Sequence, residues 1–540
     1  MDPITLRQNS TAVYGKTPYN NYLESPLGNS EDTSQREYNV TMKNHSDCDE
    51  FYNDMETLGG TSSVPDRECH CCKRRPISRN TVYKLTYAEA VKLLSDERVA
   101  AVELTPEEQG LKPVTHAWQD TSTHYDKKTE SNSQDIQWGF VRQLVKNNPT
   151  GWGVGADLDL ERTVTSQYSG KNVDVVIMDD GCPFPSTFEY AQNADGTGFS
   201  RLVQYNWFKH LPEISPGTSA GVYDYSFNAT GNSPRTQEHG AHCMGTTAGN
   251  TQGWARDANI YFISFYDDGA MDLVRAWHNS KPINPETGVK NPTIINNSWG
   301  YNATTFDTSR VSSITYRGNT YSPTSGSGPD GTAVWDNTLL DNFWCTISTS
   351  RNAGADADFE DMISDGIIVV ASAGNDNSYM DVVGGPDYNN SFVMWSSSTS
   401  SNTYYPHRGS SPGAATGVIN VGAAGAHNEA SGDSIYDATG VEQQDYRAEF
   451  SNFGPRCDIW GSGSAIQSIW NSGDDLYDDI PSPDPRCAAL NLNTSSHQYI
   501  NNFKKCPGTS MSGPNVCGVL ACILEAFPRA TQTEIRNYLS

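Results

Sequence analysis

The chain has 540 residues, of which 37 are basic and 64 acidic, and its net charge is −27. Nucleic acids and anionic membranes attract basic surfaces, so the composition predicts that neither is a partner. No apolar run is long enough to cross a bilayer. The opening MDPITLRQNSTAVYG has no apolar core, so the sequence predicts no Sec signal peptide and favours a cytoplasmic or virion-associated location over Sec-dependent secretion.

The first part of the chain is predicted to contain one small folded module between two polar segments. Residues 1–35 have no helical or strand periodicity and are interpreted as a tail. Residues 108–137 carry few apolar anchors and are interpreted as a linker. Between them, the pattern over 36–107 predicts an α+β module with the order β-α-β-α-β. Its successive segments are REYNVTMKN, SDCDEFYNDMETLGG, NTVYKLT, YAEAVKLLSDE and RVAAVEL.

The twelve cysteines are dilute and the chain has no export signal, so most are predicted to be reduced. One cluster stands out, because Cys69, His70, Cys71 and Cys72 lie almost side by side in ECHCCKRR. These residue types bind soft metals, although adjacent cysteines fit a tetrahedral ion poorly. A metal site, a reduced surface loop and pairing with Cys48 therefore all stay open.

Beyond residue 137 the chain carries near-continuous apolar runs, which are typical of parallel strands buried on both faces. These runs are VDVVIMDDG, ANIYFISFY, PTIINNSWG, GIIVVASAGN and GVINVGAAG. Helix-like segments such as MDLVRAWHNS and FEDMISDG lie between them. The pattern predicts an α/β layer fold, with ligands at the carboxyl ends of the strands.

Three polar residues fall at predicted element ends. Asp179 ends an apolar strand, His239 precedes a helix-like segment, and Ser510 lies in GTSMSGP before an apolar helical run. Acyl transfer by serine needs these residue types, because an imidazole accepts the hydroxyl proton and a carboxylate orients the imidazole. Taken singly, the aspartate could form a turn and the serine could cap a helix.

Six motifs in chain order resemble the subtilisin-like serine peptidases. They are KNVDVVIMDDG, HGAHCMGT, NNSWG, SAGN, AEFSNFGPRCDIWGSGSAIQSIW and GTSMSGPNVCG. HCMGT and FSNFG resemble the proteinase K branch most, whereas DDG and SWG also occur in the kexin-like branch. The resemblance implies a three-layer α/β fold with a mostly parallel central sheet over 138–540. Insertions are expected at 186–235, 301–360, 376–410 and 470–505.

The resemblance also implies roles for individual residues. Asp179 would orient His239, which would be the general base for Ser510, while Asn375 would donate to the oxyanion. The activity would be that of a serine endopeptidase acting through an acyl-enzyme, with a pH profile that rises at a pKa of ~6.5–7. Expected substrate-binding residues are Ser298, Trp299 and Gly300 as a strand edge, and Ser372, Ala373 and Gly374 as the S1 wall. Asp180 would favour a basic residue at P2, or is a solvated turn carboxylate.

The module at 36–107 resembles the inhibitor I9 prodomain, which implies a self-processing zymogen inhibited by its own prodomain and cleaved within 106–137. The chemistry requires no cofactor, and structural Ca²⁺ at acidic loops such as SGDDLYDD stays open. The expected partner is a protein or peptide substrate. The alternative is a structural or binding protein, for example virion-associated, that carries a subtilase domain in an active or inactive form.

The last residues, FPRATQTEIRNYLS, resemble the helix that follows the serine helix in the family. The family's closing segment does not follow them. We therefore expect either a longer native chain, or a partner chain or larger assembly that covers apolar surface at this end.

Overall fold

The computed structural model of the chain has one hydrophobic core in an N-terminal module and a separate one around a large parallel sheet. It describes residues 27–28, 33–58, 67–110, 112–115, 166–180, 188–192, 199–203, 205–214, 238–250, 252–265, 269–305, 307–326, 332–343, 347–395, 401–425, 447–463, 466–469 and 503–539. Among the helices in these ranges, none is both long and apolar enough to cross a membrane.

The strands, in chain order, are β1 (Arg36–Met42), β2 (Cys71–Arg74), β3 (Asn80–Leu85), β4 (Val99–Leu104), β5 (Lys112–Thr115), β6 (Asp174–Asp179), β7 (Asn259–Ser264), β8 (Thr293–Asn297), β9 (Trp299–Thr305), β10 (Val311–Tyr316), β11 (Asn319–Tyr321), β12 (Ile347–Thr349), β13 (Ile368–Ser372), β14 (Ser391–Trp395), β15 (Ser401–Tyr404), β16 (Ile419–Ala424), β17 (Ile459–Ser462), β18 (Ile466–Ile469) and β19 (Phe503–Cys506). The α-helices are α1 (Cys48–Glu56), α2 (Tyr87–Leu93), α3 (Pro106–Gln109), α4 (Glu238–Ala248), α5 (Ala270–Ser280), α6 (Asn337–Asn342), α7 (Ala353–Ser364), α8 (Thr509–Ala526) and α9 (Gln532–Leu539).

The N-terminal module is a four-stranded antiparallel sheet in the order β2-β3-β1-β4, with α1 and α2 in the connections. The three predicted strands and both predicted helices are confirmed. Helix α2 begins at a capping box, in which the Thr86 side chain and Glu89 satisfy each other's backbone N–H groups. Leu27, from the predicted tail, is buried in the core of this module.

The cysteine-rich stretch forms strand β2 and not a surface loop, so that interpretation is wrong for Cys71–Arg74. The strand lies at the edge of the sheet and is short and half-exposed, which explains why no periodicity revealed it. Cys48, Cys69, Cys71 and Cys72 are free thiols, so the pairing with Cys48 that the sequence left open is not formed. Among the described residues, the ligand atoms of this cluster do not converge on a common metal position.

The central sheet has six parallel strands in the order β17-β16-β13-β8-β6-β7. All residues of β6, β8 and β13 are buried, so a layer covers each face of the sheet. Helix α8 packs on α4 and β16, whereas α7 packs on α5 and β13. The predicted parallel sheet is therefore confirmed.

Two of the predicted insertions combine into one further unit. Strands from 301–360 and 376–410 form an antiparallel sheet in the order β11-β10-β14-β15, with its own small core around Phe343 and Phe392. The predicted insertion at 186–235 is described only in part. Residues 470–502, most of the last predicted insertion, lie outside the described residues.

Strand β5 lies inside the segment that the sequence predicted to be a linker, and that prediction is wrong for these residues. It pairs antiparallel with β9, matching Val114 with Gly300 and Thr115 with Trp299. Strand β12 pairs with the other edge of β9. The apolar pattern could not reveal β5, because this strand forms on the unpaired backbone groups that β9 offers.

Arg75, which is mostly but not fully buried, is one of the residues that link the N-terminal module to helices α5 and α7. Arg75 Nε lies 2.8 Å from Asp272 Oδ2 on α5, and its Nη1 lies 2.7 Å from Asp358 Oδ2 on α7. The Ser78 hydroxyl donates to Asp358 Oδ1 at 2.8 Å. Both carboxylates are buried, and Arg75 links them across the junction.

Arg201 is buried and is held mainly by backbone oxygens. Its guanidinium donates to the carbonyls of Glu189, Ala191, Ala248 and Ala258 at 2.7–3.2 Å. It also reaches the Asn250 Oδ1 atom at 3.0 Å and the Ala255 carbonyl at 3.5 Å. Burial lowers its pKa to about 10, so the side chain stays charged at neutral pH.

Candidate active site

Asp179 and His239 meet at the carboxyl end of the parallel sheet. Asp179 is the last residue of β6, and His239 lies in the first turn of α4. Asp179 Oδ1 lies 2.7 Å from His239 Nδ1, and both side chains are buried. The backbone N–H of Asp180 donates to the same Asp179 oxygen at 2.9 Å. These contacts fix the orientation of the imidazole.

Ser510 is the second residue of α8, two residues after a glycine that allows the turn. Gly508 caps this helix with φ +147°, a backbone conformation that favours glycine. Pro514 lies four residues after Ser510 and has no N–H to donate to the Ser510 carbonyl. That carbonyl instead accepts from Ser298 Oγ at 3.0 Å and from Cys243 Sγ at 3.4 Å.

Cys243 also lies 3.9 Å from His239 Nδ1, so it contacts both the histidine and the serine backbone. The Ser510 hydroxyl itself donates to Ser298 O at 3.1 Å and not to His239. The Nε2 atom of His239 is buried and has no hydrogen-bond partner in the described part of the chain. Such bonds often form only when substrate binds. A rotation of the Ser510 side chain would direct its hydroxyl away from Ser298.

Asn375 is oriented by a residue that the sequence analysis did not single out. Its Oδ1 accepts from both the backbone N–H and the hydroxyl of Thr509, at 2.9 and 2.8 Å. The same hydroxyl accepts from the N–H of Gly374, at 3.1 Å. The side-chain oxygen is therefore occupied at the base of the Ser510 turn, and the amide is the end that can donate to a developing oxyanion. Thr509, in the GTS motif, was the sequence signal from which this contact with Asn375 could have been expected.

The charges around His239 determine its protonation. Burial lowers the pKa of His239, but the Asp179 carboxylate outweighs burial and holds it well above its ordinary value. Burial also raises the pKa of Asp180, and the charge of Asp179 adds to that shift. The Cys243 thiol is kept protonated because burial raises its pKa. Asp180 is only 9 % exposed, so its interpretation as a solvated turn carboxylate is wrong.

The residues expected to bind substrate lie at or after the ends of two neighbouring strands of the central sheet, β8 and β13. Trp299 and Gly300 begin β9, and their edge already carries β5 as a partner. Ser298 precedes them and contacts Ser510 in both directions. Ser372 ends β13, and Ala373 and Gly374 connect it to Asn375. Their assignment to the S1 wall stays a prediction, as does a role for Asp180 at P2.

Asp179, His239 and Cys243 could also offer one metal ligand each, within 4.8 Å of one another. Asp179 Oδ1 and His239 Nδ1 already share a hydrogen bond at 2.7 Å, which a metal bound to both atoms would have to replace. The arrangement therefore fits an acid–base pair better than a metal centre. The acidic loop SGDDLYDD, expected to offer oxygens to Ca²⁺, lies outside the described residues.

Comparisons with known proteins agree on one group. Subtilisin-like protease 2 of Pseudogymnoascus destructans is 24% identical over 307 residues, covering 56% of this chain and 47% of that protein. The chain thus spans about half the length of this curated relative. Fervidolysin from Fervidobacterium pennivorans, described as a keratinolytic enzyme related to subtilisin, is 16% identical to this chain. The match covers 94% of this chain and 57% of the fervidolysin chain, with a TM-score of 0.46.

A cold adapted subtilisin-like serine proteinase of known structure is 19% identical to this chain. The match covers 70% of this chain and 85% of the proteinase chain, with a TM-score of 0.33. The family model described as the Subtilase family matches residues 170–540, more than half of the chain. That stretch contains Asp179, His239, Asn375 and Ser510 in chain order. The chain therefore belongs to the subtilase family.

Proposed function

We propose that this chain is a serine endopeptidase, made as a zymogen, with Ser510 as nucleophile and His239 as general base. The observation that carries the proposal is the meeting of the buried Asp179–His239 pair with the N-terminal turn of α8. Cys243 touches both, at 3.9 Å from His239 Nδ1 and 3.4 Å from Ser510 O. A hydroxyl at such a helix start is well suited to nucleophilic attack once a neutral imidazole takes its proton.

The reaction runs in two halves. The Ser510 oxygen bonds to the substrate carbonyl carbon while its proton passes to His239 Nε2. The leaving amide nitrogen takes that proton as the C–N bond breaks, and an ester remains on Ser510. Water then attacks the ester, its proton passes through His239 to Ser510, and the acid product leaves. Asn375 Nδ2 and the Ser510 N–H would donate to the oxyanion of both tetrahedral intermediates.

Labelling with a fluorophosphonate tests this proposal directly, because the reagent phosphonylates an activated serine hydroxyl. We expect one covalent adduct on processed protein, which peptide mass spectrometry assigns to Ser510. Prior denaturation should abolish labelling. An adduct on another serine would contradict the assigned nucleophile. Native protein that takes up no label would favour the alternative of an inactive subtilase domain used as a structural or binding unit.

The raised pKa of His239 predicts the pH dependence of activity. Below that pKa the imidazole is protonated and cannot accept the serine proton, so activity should rise with pH as His239 loses its proton. We expect kcat/KM to rise with an apparent pKa above the ordinary histidine pKa of ~6.5, and not at the pKa expected from sequence alone. A pH series with a neutral peptide substrate measures it. A rise in kcat/KM centred below pH ~6 would contradict the conclusion that the Asp179 carboxylate outweighs burial in setting the pKa of His239.

Asn375→Ala should lower kcat by roughly 10²–10³-fold, the established effect of losing one oxyanion donor in this type of enzyme. KM should change little, because the donated hydrogen bond is strongest in the transition state. Asn377→Gly is the matched control: it removes an amide that contacts Arg447 at 2.7 Å and suits the left-handed backbone at φ 50°. Steady-state kinetics separate the two. A pure KM effect would recast Asn375 as a binding residue.

The inhibitory role of the N-terminal module rests on strand β5. Its pairing with β9 occupies the edge that an extended substrate would use. The module is also anchored away from the cleft, by Arg75 on Asp272 and Asp358 and by Glu103 Oε1, which accepts the Gly354 N–H at 3.2 Å. An inhibitor with both contacts would stay bound after the chain behind it is cut.

Arg75→Met should weaken this retention strongly, because it leaves two buried carboxylates without their cation. Loss of one partner of a buried ion pair costs about 3–5 kcal/mol, so we expect at least ~10²-fold weaker binding of the cleaved module. Arg74→Met is the matched control, since Arg74 pairs with Glu56 inside the module. Native mass spectrometry of processed protein measures the fraction of module still bound. Equal retention in the two variants would contradict the anchoring role.

A further inference from the structure

The carbonyl of Ser510 cannot be bonded in the usual helical way. In an α-helix it would accept the N–H of the residue four positions on, but that residue is Pro514, which has none. Two side chains take the place of that donor. Ser298 Oγ donates to Ser510 O at 3.0 Å, and the thiol of Cys243, a weak donor, lies 3.4 Å from it. The backbone next to the nucleophile is therefore held mainly by one serine hydroxyl.

A hydroxyl has a single hydrogen, so the group beside Ser298 Oγ decides where that hydrogen points. Asn296 Nδ2 donates to Ser298 Oγ at 2.9 Å. An amide nitrogen donates and does not accept, so it leaves the hydroxyl hydrogen for Ser510 O. The three residues thus form one directed chain of hydrogen bonds, from Asn296 through Ser298 to Ser510.

Asn296 lies where a polar side chain is costly. It is fully buried in β8, between β13 and β6 of the central sheet. Its Oδ1 atom has no hydrogen-bond partner among the described residues, and it faces Gly513, where a Cβ atom would come within 3.3 Å of it. A buried amide oxygen without a donor costs free energy that an apolar side chain would not. Within the described part of the chain, the side chain makes its one hydrogen bond to Ser298, which points to a role other than stability.

We infer that Asn296 is a positioning residue for the nucleophile and acts through Ser298. The inference rests on the proposed function and adds a residue to its machinery. In the resting state the Ser510 hydroxyl donates to Ser298 O at 3.1 Å. That bond breaks when the hydroxyl turns to His239, whereas the bond from Ser298 Oγ to Ser510 O remains and holds the serine backbone. The Ser510 N–H that serves the oxyanion then keeps its direction during acylation.

Asn296→Asp reverses this chain with almost no change in shape, because a carboxylate only accepts and draws the Ser298 hydrogen away from Ser510 O. Misplacing a reacting group by about 1 Å can cost roughly 10²-fold in rate, so we expect kcat to fall by about that factor with KM nearly unchanged. Asn296→Leu removes the donor without offering an acceptor, so kcat should fall by only about three- to tenfold, the size of one lost hydrogen bond. Steady-state kinetics on a neutral peptide, expressed per enzyme that fluorophosphonate labels at Ser510, measure both variants.

Asn297→Asp is the matched control, since Asn297 is buried in the same strand on the opposite face. Its Nδ2 donates to Val370 O at 3.1 Å and not to Ser298, so this variant should lose stability and keep the wild-type kcat. Equal kcat in the two aspartate variants, or a change in KM alone, would overturn the inference. So would wild-type kcat in Asn296→Leu, which decides the matter if Asn296→Asp does not fold. Labelling of the wild type at Ser510 would still uphold the proposed function, whereas a wild type that takes no label would overturn both.

Discussion

Ser510→Ala should abolish peptide hydrolysis and leave the full chain uncut, because no other described group supplies the attacking oxygen. We expect kcat to fall by roughly 10⁶-fold, the established size of nucleophile loss in such a triad. The fold should persist, since the hydroxyl makes one hydrogen bond, to Ser298 O at 3.1 Å. A sensitive peptide assay and the mass of the purified chain report the two effects.

Ser512→Ala is the matched control for this substitution. Ser512 is buried in the same helix, and its hydroxyl donates to Thr509 O at 3.1 Å. Its loss should cost stability by about 1 kcal/mol and leave processing complete. If Ser510→Ala still processed itself, or if both variants lost activity equally, Ser510 would not be the nucleophile.

Arg201→Met should produce a large loss of stability although it lies outside the active site. It removes the guanidinium donors of Ala248 O and Ala258 O, whereas Glu189 O and Ala191 O keep donors from Asn250. A buried carbonyl left without a donor costs about 1–3 kcal/mol when it is not rehydrated. Ala248 O lies at the end of the helix that carries His239. We expect a loss of roughly 3–5 kcal/mol in the free energy of unfolding.

Urea unfolding in the Ser510→Ala background, which prevents self-digestion, measures this loss. Arg201→Lys should recover part of it, because an ammonium keeps the charge but offers three donors instead of five. Arg256→Met is the control, since that arginine is exposed and should change stability by at most ~0.5 kcal/mol. Unfolding midpoints that coincide for Arg201→Met and Arg256→Met would contradict the stabilising role of the hydrogen bonds from Arg201 to backbone carbonyls.

The parallel sheet was predictable because its strands are buried on both faces and therefore read as unbroken apolar runs. Asp179, His239 and Ser510 were assigned because the motifs around them resemble those of the subtilisin-like serine peptidases, and not because the apolar pattern alone singles them out. Their mutual geometry was not predictable in full. Sequence cannot show that the Ser510 hydroxyl bonds to Ser298, because a side-chain rotamer depends on neighbours that are distant along the chain.

Elements that depend on a partner elsewhere in the chain escaped prediction. Strand β5 has no alternating pattern and contains a proline, and it exists because β9 has an open edge. Arg201 carries no local signal in the sequence, since the carbonyls that surround it belong to three separate segments. The pKa of His239 also needed the structure, because the distance to Asp179 sets it. Residues that act through long-range contacts leave no local signal.

In the proposed peptidase, the ladder on β9 would also limit which proteins can be attacked. Four successive residues of β5 pair along it, so a substrate bound in the same way would have to present a fully extended stretch of about 13 Å. Helices and paired strands of a folded target cannot do this until they open locally. Turnover of a native protein is then the intrinsic rate multiplied by the open fraction, and each 1.4 kcal/mol of local stability slows it about tenfold. On folded targets, hydrogen-exchange protection should therefore rank the cleavage sites better than side-chain preference does.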